Sequence, residues 1–405
     1  MKAVWVTRSF LDYRIPVFEE LSKRFDGRFA LVFNADYVPD RCRLKVERVL
    51  GPRARGLRGE RALKWGPQNG FSCAGFRVSY QPGLVGAILE EKPDVLISDG
   101  FFQWTYAALW IRATRGIPHV MCYEKTRHTE RNAQWYRNMY RRTVLRGIDA
   151  MCCNGRLCGE YARSLGFAPG RITYGHMVAD VRGLQQNAAA VTEQQVARVV
   201  AEHQLKGLVF LYAGRLIRLK GLTELLGAWR QLMMEVSGQE VTLLIVGDGP
   251  QRQELEQYCN DNGLANVRFT GVVEYDKLHV YYRCAHVFVM PTLEDNWSLV
   301  VPEAMACGLP ILCSKYNGCW PELVTPANGW VFDPLSPSDL VGALRRALSS
   351  KAALSSMGKV SETIVSTHTT ERAGQAICEA VELACRKRQL EPVARHASAL
   401  HMQDP

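Results

Sequence analysis

The chain contains 405 residues, of which 47% are hydrophobic and 22% are charged, so it can fill packed cores and is not a disordered polymer. At roughly 100–200 residues per domain, this length predicts two or three domains. No apolar run approaches the roughly 18 residues of a membrane-spanning helix, and the first ten residues lack the long apolar segment of a secretory signal. The 13 cysteines are scattered without metal-ligand spacing, which favours free thiols in a reducing cytosol over a disulfide framework.

The charge is divided unevenly along the chain. Residues 1–178 hold 29 basic and 16 acidic side chains, a net charge of +13, whereas the remainder carries −3. Nine of the basic residues fall between Arg41 and Lys64, and Trp65 and Phe71 follow them. This pattern predicts an anionic partner for the first half. A membrane surface or a phosphorylated substrate fits better than nucleic acid, because no helix-turn-helix, zinc or RNA-binding motif accompanies the charge, although a merely solvated basic surface explains the same numbers.

In chain order, the first half alternates short apolar runs with helical patterns, which predicts a parallel α/β sheet. We expect strands at Ala3–Val6, Phe29–Phe33, Val95–Ser98, His119–Tyr123 and Ala150–Cys153. The helices expected between them are Phe18–Arg24, Trp104–Ala113 and Thr129–Arg146.

The second half repeats this alternation after a polar, Ala- and Gln-rich connector at 179–206. Its expected strands are Val209–Ala213, Val241–Val246, Val267–Thr270, Val287–Met290 and Ile311–Ser314, and its expected helices are Leu222–Met234, Gln251–Asn260, Asp276–Arg283 and Val300–Cys307. The chain is therefore predicted to form two Rossmann-like, doubly wound α/β domains, residues 1–178 and 207–372, followed by a C-terminal helix and polar tail at 373–405. We expect the domains to face each other across a cleft that binds the ligands, because open α/β sheets bind ligands at the carboxyl ends of their strands.

Two loops that follow predicted strands in the second half carry residues suited to a phosphorylated ligand. The segment GRLIRLKG places Arg215 and Lys220 five residues apart before a helix, where two cations can converge on a diphosphate or remain solvated. In GDGP, Gly247 and Gly249 permit close approach of a ligand to the backbone, but taken alone this segment is better explained as a plain turn.

A third loop, in EDNWSLVVPEAMACGLP, places two carboxylates beside the N-terminus of a helix. The amides of Leu299 and Val300 open that helix, and anions bind favourably at such an end. Asp295 lies in the loop, where it can reach a sugar ring, and Glu303 lies within the helix, where it can hold ribose hydroxyls.

In this order and at these intervals, GRLIRLKG, VGDGP, NVRFTGVV and DNWSLVVPEAMACGLPI resemble the C-terminal half of a family 4 glycosyltransferase with the GT-B fold. The match extends from Val209 to about Pro334, and the first half matches only as a general pattern. The resemblance implies a retaining transfer from a nucleotide-diphosphate sugar to a carbohydrate or lipid-linked acceptor, with no metal and no other cofactor. We expect this reaction in the synthesis of surface polysaccharide or glycoconjugate, in the cytoplasm and peripheral to the inner face of an anionic membrane.

The resemblance also implies roles for individual residues. Arg215 and Lys220 match the pair that grips the donor diphosphate and stabilises charge on the leaving group. Glu303 matches the acid that holds the donor ribose, and Asp295 matches the acid that contacts the donor sugar, with Glu294 as the alternative in a neighbouring register. The full set of donor-side residues is Gly214, Arg215, Lys220, Gly247, Gly249, Val272, Val273, Asp295, Leu299, Val300 and Glu303.

The first half departs further from the family pattern. Its first loop, TRSFLDYRIP, lacks the glycine pair of many relatives, and Arg14 either contacts an anion there or is simply solvated. Glu124 stands where many relatives have His. It either positions an acceptor hydroxyl, which would make it catalytic together with Arg215, Lys220 and Asp295, or pairs with a neighbouring cation. Asp99 ends another strand on the acceptor side, and a turn with a helix cap is its simpler explanation.

Two other classes of protein fit the same motifs. A GT-B-type nucleotide-sugar epimerase or hydrolase would turn over the donor without an acceptor. A non-catalytic sugar-nucleotide-binding subunit would bind the donor without turnover.

Overall fold

The computed structural model describes residues 1–65, 76–236 and 238–400, and the chain divides into two compact units. Unit 1 comprises Met1–Val178 with Thr370–Pro405, and unit 2 comprises Ala179–Thr369. The expected connector, 179–206, is therefore part of unit 2, where it forms two helices. The expected C-terminal segment, 373–405, belongs to unit 1, and its residues 401–405 lie outside the described part of the chain.

The strands are short, and most are fully buried. In chain order they are β1 Ala3–Thr7, β2 Phe29–Asn34, β3 Ala54–Leu57, β4 Arg61–Trp65, β5 Phe76–Tyr80, β6 Val95–Asp99, β7 His119–Tyr123, β8 Ala150–Cys153, β9 Ile172–Tyr174, β10 Leu208–Ala213, β11 Val241–Val246, β12 Val267–Gly271, β13 Val287–Met290, β14 Ile311–Ser314 and β15 Gly329–Phe332.

The helices connect these strands and cover the sheets. In chain order they are α1 Ile15–Arg24, α2 Asp40–Leu50, α3 Leu84–Glu90, α4 Thr105–Arg115, α5 Trp135–Val144, α6 Arg156–Ser164, α7 Val181–Ala189, α8 Glu193–Glu202, α9 Leu222–Glu235, α10 Arg252–Asp261, α11 Leu278–Cys284, α12 Val300–Ala306, α13 Trp320–Leu323, α14 Pro337–Ser349, α15 Leu354–Val365 and α16 Thr370–Leu400. None of the described helices combines the length and the apolar character that a bilayer crossing requires.

Each unit is built on a parallel sheet, as the alternation of apolar runs and helices predicts. Within the described residues, the sheet of unit 1 has the order β3-β2-β1-β6-β7-β8-β9 and that of unit 2 the order β12-β11-β10-β13-β14-β15. In both sheets the chain starts at a central strand, moves to one edge, and then crosses to the other side. The reversal falls between β1 and β6 in unit 1 and between β10 and β13 in unit 2. Strands β4 and β5 form a separate antiparallel pair.

The C-terminal helix completes the core of unit 1. Rings from β1, β2 and α1 pack together on one side of the sheet, for example Trp5 edge to face on Phe18 with 5.3 Å between the ring centroids. Helix α16 adds a stripe of small and branched side chains to this cluster, at spacings that place them on one helix face: Ala373, Ala376, Ile377, Ala380, Val381 and Ala384. Thr173 at the end of the sheet donates its hydroxyl hydrogen to the carbonyl of Ala376 at 2.7 Å.

Glycines allow the loops after β10 and β11 to approach each other closely. Gly247 has a φ of 132°, and a Cβ atom at this position would lie 2.0 Å from the carbonyl oxygen of Gly214. A Cβ atom at Gly249 would lie 2.4 Å from the carbonyl oxygen of Leu216. The two loops hydrogen bond directly, from the Leu216 amide to the Asp248 carbonyl at 2.9 Å. The glycines of GDGP therefore serve loop packing, whatever they contribute to ligand binding.

We predict that Gly247→Ala lowers the free energy of unfolding of unit 2 by about 2 kcal/mol or more, because both the positive φ and the backbone overlap oppose a side chain. Urea-induced unfolding followed by circular dichroism measures the effect. Gly227→Ala is the matched control. Gly227 lies within α9 with its nearest non-local atom, the Tyr258 hydroxyl oxygen, 4.0 Å from a Cβ atom, so alanine there leaves the stability unchanged or raises it. Equal stability of the two variants would contradict the packing argument.

Candidate active site

The carboxyl edge of the unit 2 sheet gathers the loops that carry the expected donor-side residues. Strands β10 and β13 are neighbours in the sheet although two strands separate them in sequence, so the winding reverses here, and open α/β sheets bind ligands at such a point. The loops that follow the two strands contact each other, for example through the Leu293 amide, which donates to the Leu219 carbonyl at 2.7 Å. The loop after β10 contains Arg215 and Lys220, and the loop after β13 contains Asp295 and leads into α12.

Lys220 and Asp295, which the family pattern gives separate roles, form an ion pair. The Lys220 ammonium donates to Oδ2 of Asp295, and the Ser298 hydroxyl donates to the same oxygen at 2.5 Å. The Trp297 amide donates to Oδ1 at 3.0 Å. Burial by itself would raise the pKa of Asp295, but Lys220 and these hydrogen bonds hold that pKa below its ordinary value. Asp295 is therefore ionised and fixes the position of the ammonium group.

Arg215 is the available cation of this loop. Its side chain is exposed, and it has no hydrogen-bond or ion-pair partner among the described residues. The neighbouring Arg218 is instead paired at 2.7 Å with Glu224, which lies on helix α9. An anionic ligand at this edge would thus meet one unpaired guanidinium beside a preorganised ammonium group.

The start of α12 offers backbone hydrogen-bond donors at the same edge of the sheet. Leu299 is the N-cap of α12, and Val300 is its first residue. Within the described part of the chain, neither of their amide hydrogens has a hydrogen-bond partner, whereas the next amide, of Val301, donates to the Ser298 carbonyl at 3.1 Å. These two open donors are in the position that the resemblance assigns to phosphate contacts.

Glu303, on the first turn of α12, is a buried carboxyl group that has no ion-pair partner among the described residues. Only 7% of the residue is exposed, and the Tyr282 hydroxyl donates to its Oε2 at 3.2 Å. Burial raises the pKa of Glu303 to about 7, against the opposing effect of hydrogen bonds from Tyr282 and Tyr275. Near neutral pH this group therefore changes between a pure acceptor and a hydrogen-bond donor, and either form can hold a diol.

The remaining expected donor-side residues line the same edge further along. Gly247 follows β11, and its amide donates to the Gly271 carbonyl at 2.9 Å. Val272 and Val273 follow β12, and Val272 is 77% exposed. An exposed valine beside an open backbone suits the flat face of a base. Glu294 is buried in the same loop as Asp295, and which of the two acids contacts a donor sugar stays a prediction.

Unit 1 has a cavity of about 290 Å³ at its own reversal point. The residues at the ends of β1, β6 and β7 line it, and the three expected acceptor-side residues, Arg14, Asp99 and Glu124, are among them. These residues lie up to 110 positions apart in the sequence, and the sheet brings them together.

Arg14 is the buried charge at the centre of this cavity wall, with only 4% of the residue exposed. It donates to Glu124 Oε1 at 3.0 Å and to the His176 carbonyl at 2.7 Å. Burial raises the pKa of Glu124 and of Asp99, and the nearby Arg14 opposes that rise in both. Glu124 thus pairs with a cation, as one of the two sequence interpretations holds, and the ion pair that the structure shows is with Arg14, 110 residues away in the sequence.

His176 is a part of this arrangement that the sequence analysis missed. Its Nδ1 faces an Arg14 Nη atom at 3.0 Å, and its Nε2 faces the Tyr123 carbonyl at 3.0 Å. Burial, followed by the charge of Arg14, lowers the pKa of His176 to about 3, so the ring is neutral, with its hydrogen on Nε2. The only sequence signal was a single histidine two residues after β9.

The basic segment Arg41–Lys64 is largely occupied with ion pairs inside unit 1. Asp12 accepts from Arg41 at 2.9 Å and from Lys45 at 2.7 Å. Partial burial would raise the pKa of Asp12, but these hydrogen bonds lower it to about 2. Further ion pairs join Arg43 to Asp40 and Glu47, Arg55 to Glu90, and Arg58 to Asp36. Phe71, the aromatic residue expected to accompany this segment, lies outside the described residues.

Two parallel-sheet α/β units, with a basic loop and a helix start at one reversal point, define a GT-B-type architecture, and comparison with solved structures agrees. Alr3699/HepE from Anabaena, solved in complex with UDP, matches with a TM-score of 0.72 over 94% of this chain and 100% of that chain. The sequence identity is 16%, so this likeness shows the fold.

The sequence comparisons identify the family. The family model described as Glycosyl transferases group 1 matches residues 193–363, and that of the Glycosyl transferase 4-like domain matches residues 19–176. The chain belongs to the family 4 type of glycosyltransferases.

The curated relatives match over part of their length. The putative glycosyltransferase EpsF of Bacillus subtilis is 28% identical over 53% of this chain and 55% of its own length. A D-inositol 3-phosphate glycosyltransferase of Paenarthrobacter aurescens is 30% identical over 38% of each chain. The sulfoquinovosyl transferase SQD2 of Arabidopsis thaliana is 34% identical over 30% of this chain and 24% of its own length. The match therefore spans from 24% to 55% of the length of these three relatives.

We predict that Glu303→Gln stabilises unit 2 at alkaline pH. An acid whose pKa is higher in the folded state than in the unfolded chain stabilises the fold while it is protonated. That contribution is complete below the ordinary value of 4.5 and is lost as the pH rises through about 7. At about pH 8 the variant should exceed the parent by up to about 3 kcal/mol in free energy of unfolding, and the difference should shrink at about pH 5.

Denaturant titrations at the two pH values test this prediction. Glu274→Gln is the control, because Glu274 is exposed and its pKa is lowered by Lys277, so removing its charge brings no alkaline gain. A Glu303→Gln variant that is less stable than the parent at both pH values would contradict the assignment of a costly buried charge.

Proposed function

We propose that the chain transfers a sugar from a nucleotide-diphosphate donor to a hydroxyl group of a carbohydrate or lipid-linked acceptor, with retention at the anomeric carbon. The observation that carries the proposal is the constellation at the carboxyl edge of unit 2, where an unpaired Arg215, the Lys220–Asp295 pair and two open amides lie beside the buried acid Glu303. Together these groups match a ligand that has two phosphates at one end and a diol at the other.

The donor-side chemistry is mainly electrostatic. When the bond from the anomeric carbon to the diphosphate breaks, the electron pair leaves with the diphosphate oxygen and negative charge develops there. Arg215, Lys220 and the amides of Leu299 and Val300 would stabilise this charge without reorganising, since Asp295 already holds the ammonium in place. These groups supply the positive charge that the leaving diphosphate needs, so we propose that the reaction uses no metal ion and no cofactor.

The nature of the donor is supported by a structural neighbour. HepE of Anabaena was solved with UDP and with UDP-glucose, which supports a sugar nucleotide as the donor of this chain. Catalysis by Asp295 is, in our proposal, indirect: its carboxylate positions Lys220, and its contact with the donor sugar is shared with or replaced by Glu294.

We assign the acceptor to the cavity of unit 1. Asp99 and Glu124 present carboxylate oxygens that can accept hydrogen bonds from sugar hydroxyls, and Arg14 fixes the direction of Glu124. The new bond forms between the acceptor oxygen and the anomeric carbon, and the proton of the acceptor hydroxyl passes to the departing diphosphate oxygen. We further propose that this reaction belongs to the synthesis of surface polysaccharide or glycoconjugate on the cytoplasmic face of a membrane.

We predict that the purified chain releases a nucleoside diphosphate from at least one sugar nucleotide in a panel of donors when lipid-linked and oligosaccharide acceptors are supplied. A coupled assay for the released diphosphate measures it. The dependence on acceptor separates the classes of enzyme. Equal turnover with and without acceptor would indicate an epimerase or hydrolase, and nucleotide binding with no turnover would indicate a binding subunit.

We predict that Lys220→Ala lowers kcat/KM for the active donor by about a hundredfold or more, because the leaving diphosphate loses a charge partner. Glu303→Ala should act mainly through weaker donor binding, as a raised KM. Arg345→Ala is the matched control. Its guanidinium pairs with Glu235 on the surface, between α14 and α9, so turnover should not change. Parental activity in both site variants would remove the roles assigned to Lys220 and Glu303.

A further inference from the structure

Helix α5 of unit 1 turns apolar side chains outward and two of its arginines inward. Trp135 is 73% exposed and Met139 is 59% exposed, whereas Arg137 and Arg141 are buried. Arg141 donates to the Tyr161 hydroxyl at 3.1 Å. A surface helix ordinarily has the opposite arrangement, with its apolar stripe toward the core. The outward side of α5 therefore suits contact with an apolar environment.

The exposed side chains of this helix form one stripe. Trp135, Met139, Arg142 and Arg146 follow each other at spacings of four, three and four residues, which places them on one side of α5 and the turn after it, over a length of about 16 Å. Arg142 and Arg146 have no hydrogen-bond or ion-pair partner among the residues that the structure describes. We call these four side chains the α5 face. It combines an aromatic ring, a flexible apolar chain and two unpaired cations.

The charge around the α5 face selects an anionic partner. Residues 125–146 include seven basic side chains and one acidic side chain, Glu130. Glu130 is buried and accepts from Arg141, so it does not offset the cations at the surface. A protein partner would need an acidic patch beside an apolar groove. A bilayer that contains anionic lipids offers both properties everywhere, since its phosphates attract arginine and its headgroup boundary accepts tryptophan and methionine.

We infer that the α5 face docks on the surface of an anionic phospholipid bilayer, with the helix lying in the plane of the headgroups. The segment Arg41–Lys64, which the charge pattern alone favours for this role, has many of its cations in ion pairs within unit 1. The α5 face instead presents unpaired arginines together with exposed apolar side chains. Membrane docking is thus assigned to a different surface from the one that the sequence suggests.

The inference rests on the proposed function for its purpose, because docking brings the acceptor cavity to lipid-linked substrates. Phe102 lines the cavity of unit 1 and stacks on Tyr140 of α5, with 5.2 Å between the ring centroids. The cavity and helix α5 are therefore adjacent within unit 1. A sugar carried on a membrane lipid would lie at the level of the headgroups, close to the mouth of that cavity.

Cosedimentation of the full chain with vesicles tests the inference. Vesicles of phosphatidylcholine mixed with phosphatidylglycerol should bind the chain, vesicles of phosphatidylcholine alone should bind it much less, and added salt should weaken the binding. The double variant Arg142→Glu with Arg146→Glu should lower the partition coefficient by at least about 25-fold, at about fivefold for each arginine. The double variant Trp135→Ser with Met139→Ser should lower it by about tenfold or more.

Two control variants carry the same kinds of change elsewhere on unit 1. Trp110→Ser removes another exposed tryptophan, on α4, and Arg41→Glu with Lys45→Glu reverses two exposed cations on α2. Both should bind vesicles as the parent does. Thermal unfolding of every variant checks that the fold is intact, which we expect because all four side chains of the α5 face are exposed.

Three results would overturn the inference. One is equal binding to both kinds of vesicle. Another is that the α2 variant loses vesicle binding whereas the α5 variants bind vesicles as the parent does. The third is that the chain does not bind vesicles but forms a concentration-dependent dimer that the Met139→Ser change abolishes. Turnover of a sugar nucleotide with a water-soluble acceptor is measured separately. Vesicle binding without turnover would support the docking surface and contradict the proposed transferase activity. Turnover without vesicle binding would support the transferase activity and contradict the docking surface.

Discussion

Parallel strand pairing is the constraint on which both sites of this chain depend. Parallel strands need crossover connections, so all their carboxyl ends meet at one edge of a sheet. Where the chain reverses its direction of winding, the carboxyl edge of an open α/β sheet is the place where ligands bind. In unit 1 the reversal falls between β1 and β6, and in unit 2 it falls between β10 and β13. The cavity lined by Arg14, Asp99 and Glu124 and the Lys220–Asp295 pair lie at these two points.

The cost of burying charge then determines which groups surround each charged side chain at these two points. Arg14 is buried but has Glu124 and the carbonyl of His176 as partners, and a neutral imidazole completes its contacts. Asp295 has Lys220, a hydroxyl and an amide. Among the described residues, Glu303 has hydroxyl donors but no cation, and its raised pKa expresses that difference. The Lys220 ammonium is thus held in place by a carboxylate, whereas the Glu303 carboxyl group has no such partner in the described part of the chain.

Local sequence patterns carried the architecture but not the pairing of residues. Apolar runs such as Val241–Val246 coincide with a strand from end to end, because a strand buried on both faces leaves little ambiguity. Short mixed strands such as Ala54–Leu57 and Ile172–Tyr174 escaped notice, since too few residues repeat to show a period. The helix expected at Thr129–Arg146 begins only at Trp135. The Lys220–Asp295 pair joins residues 75 positions apart, a distance over which no local pattern holds information. Family resemblance predicted which residues contact a ligand, whereas their contacts with each other are seen only in the folded chain.

The return of α16 to unit 1 has a consequence for the order in which the molecule is made. Unit 2 is continuous in sequence, whereas the core of unit 1 is closed by Ala373–Ala384, which leave the ribosome after all of unit 2. The first 178 residues therefore wait without the helix that packs on β7, β8 and β9 while 191 further residues are synthesised and can fold. Unit 1 reaches its final packing last, although it is translated first. Its apolar sheet face is the part of the nascent chain that most needs protection from aggregation.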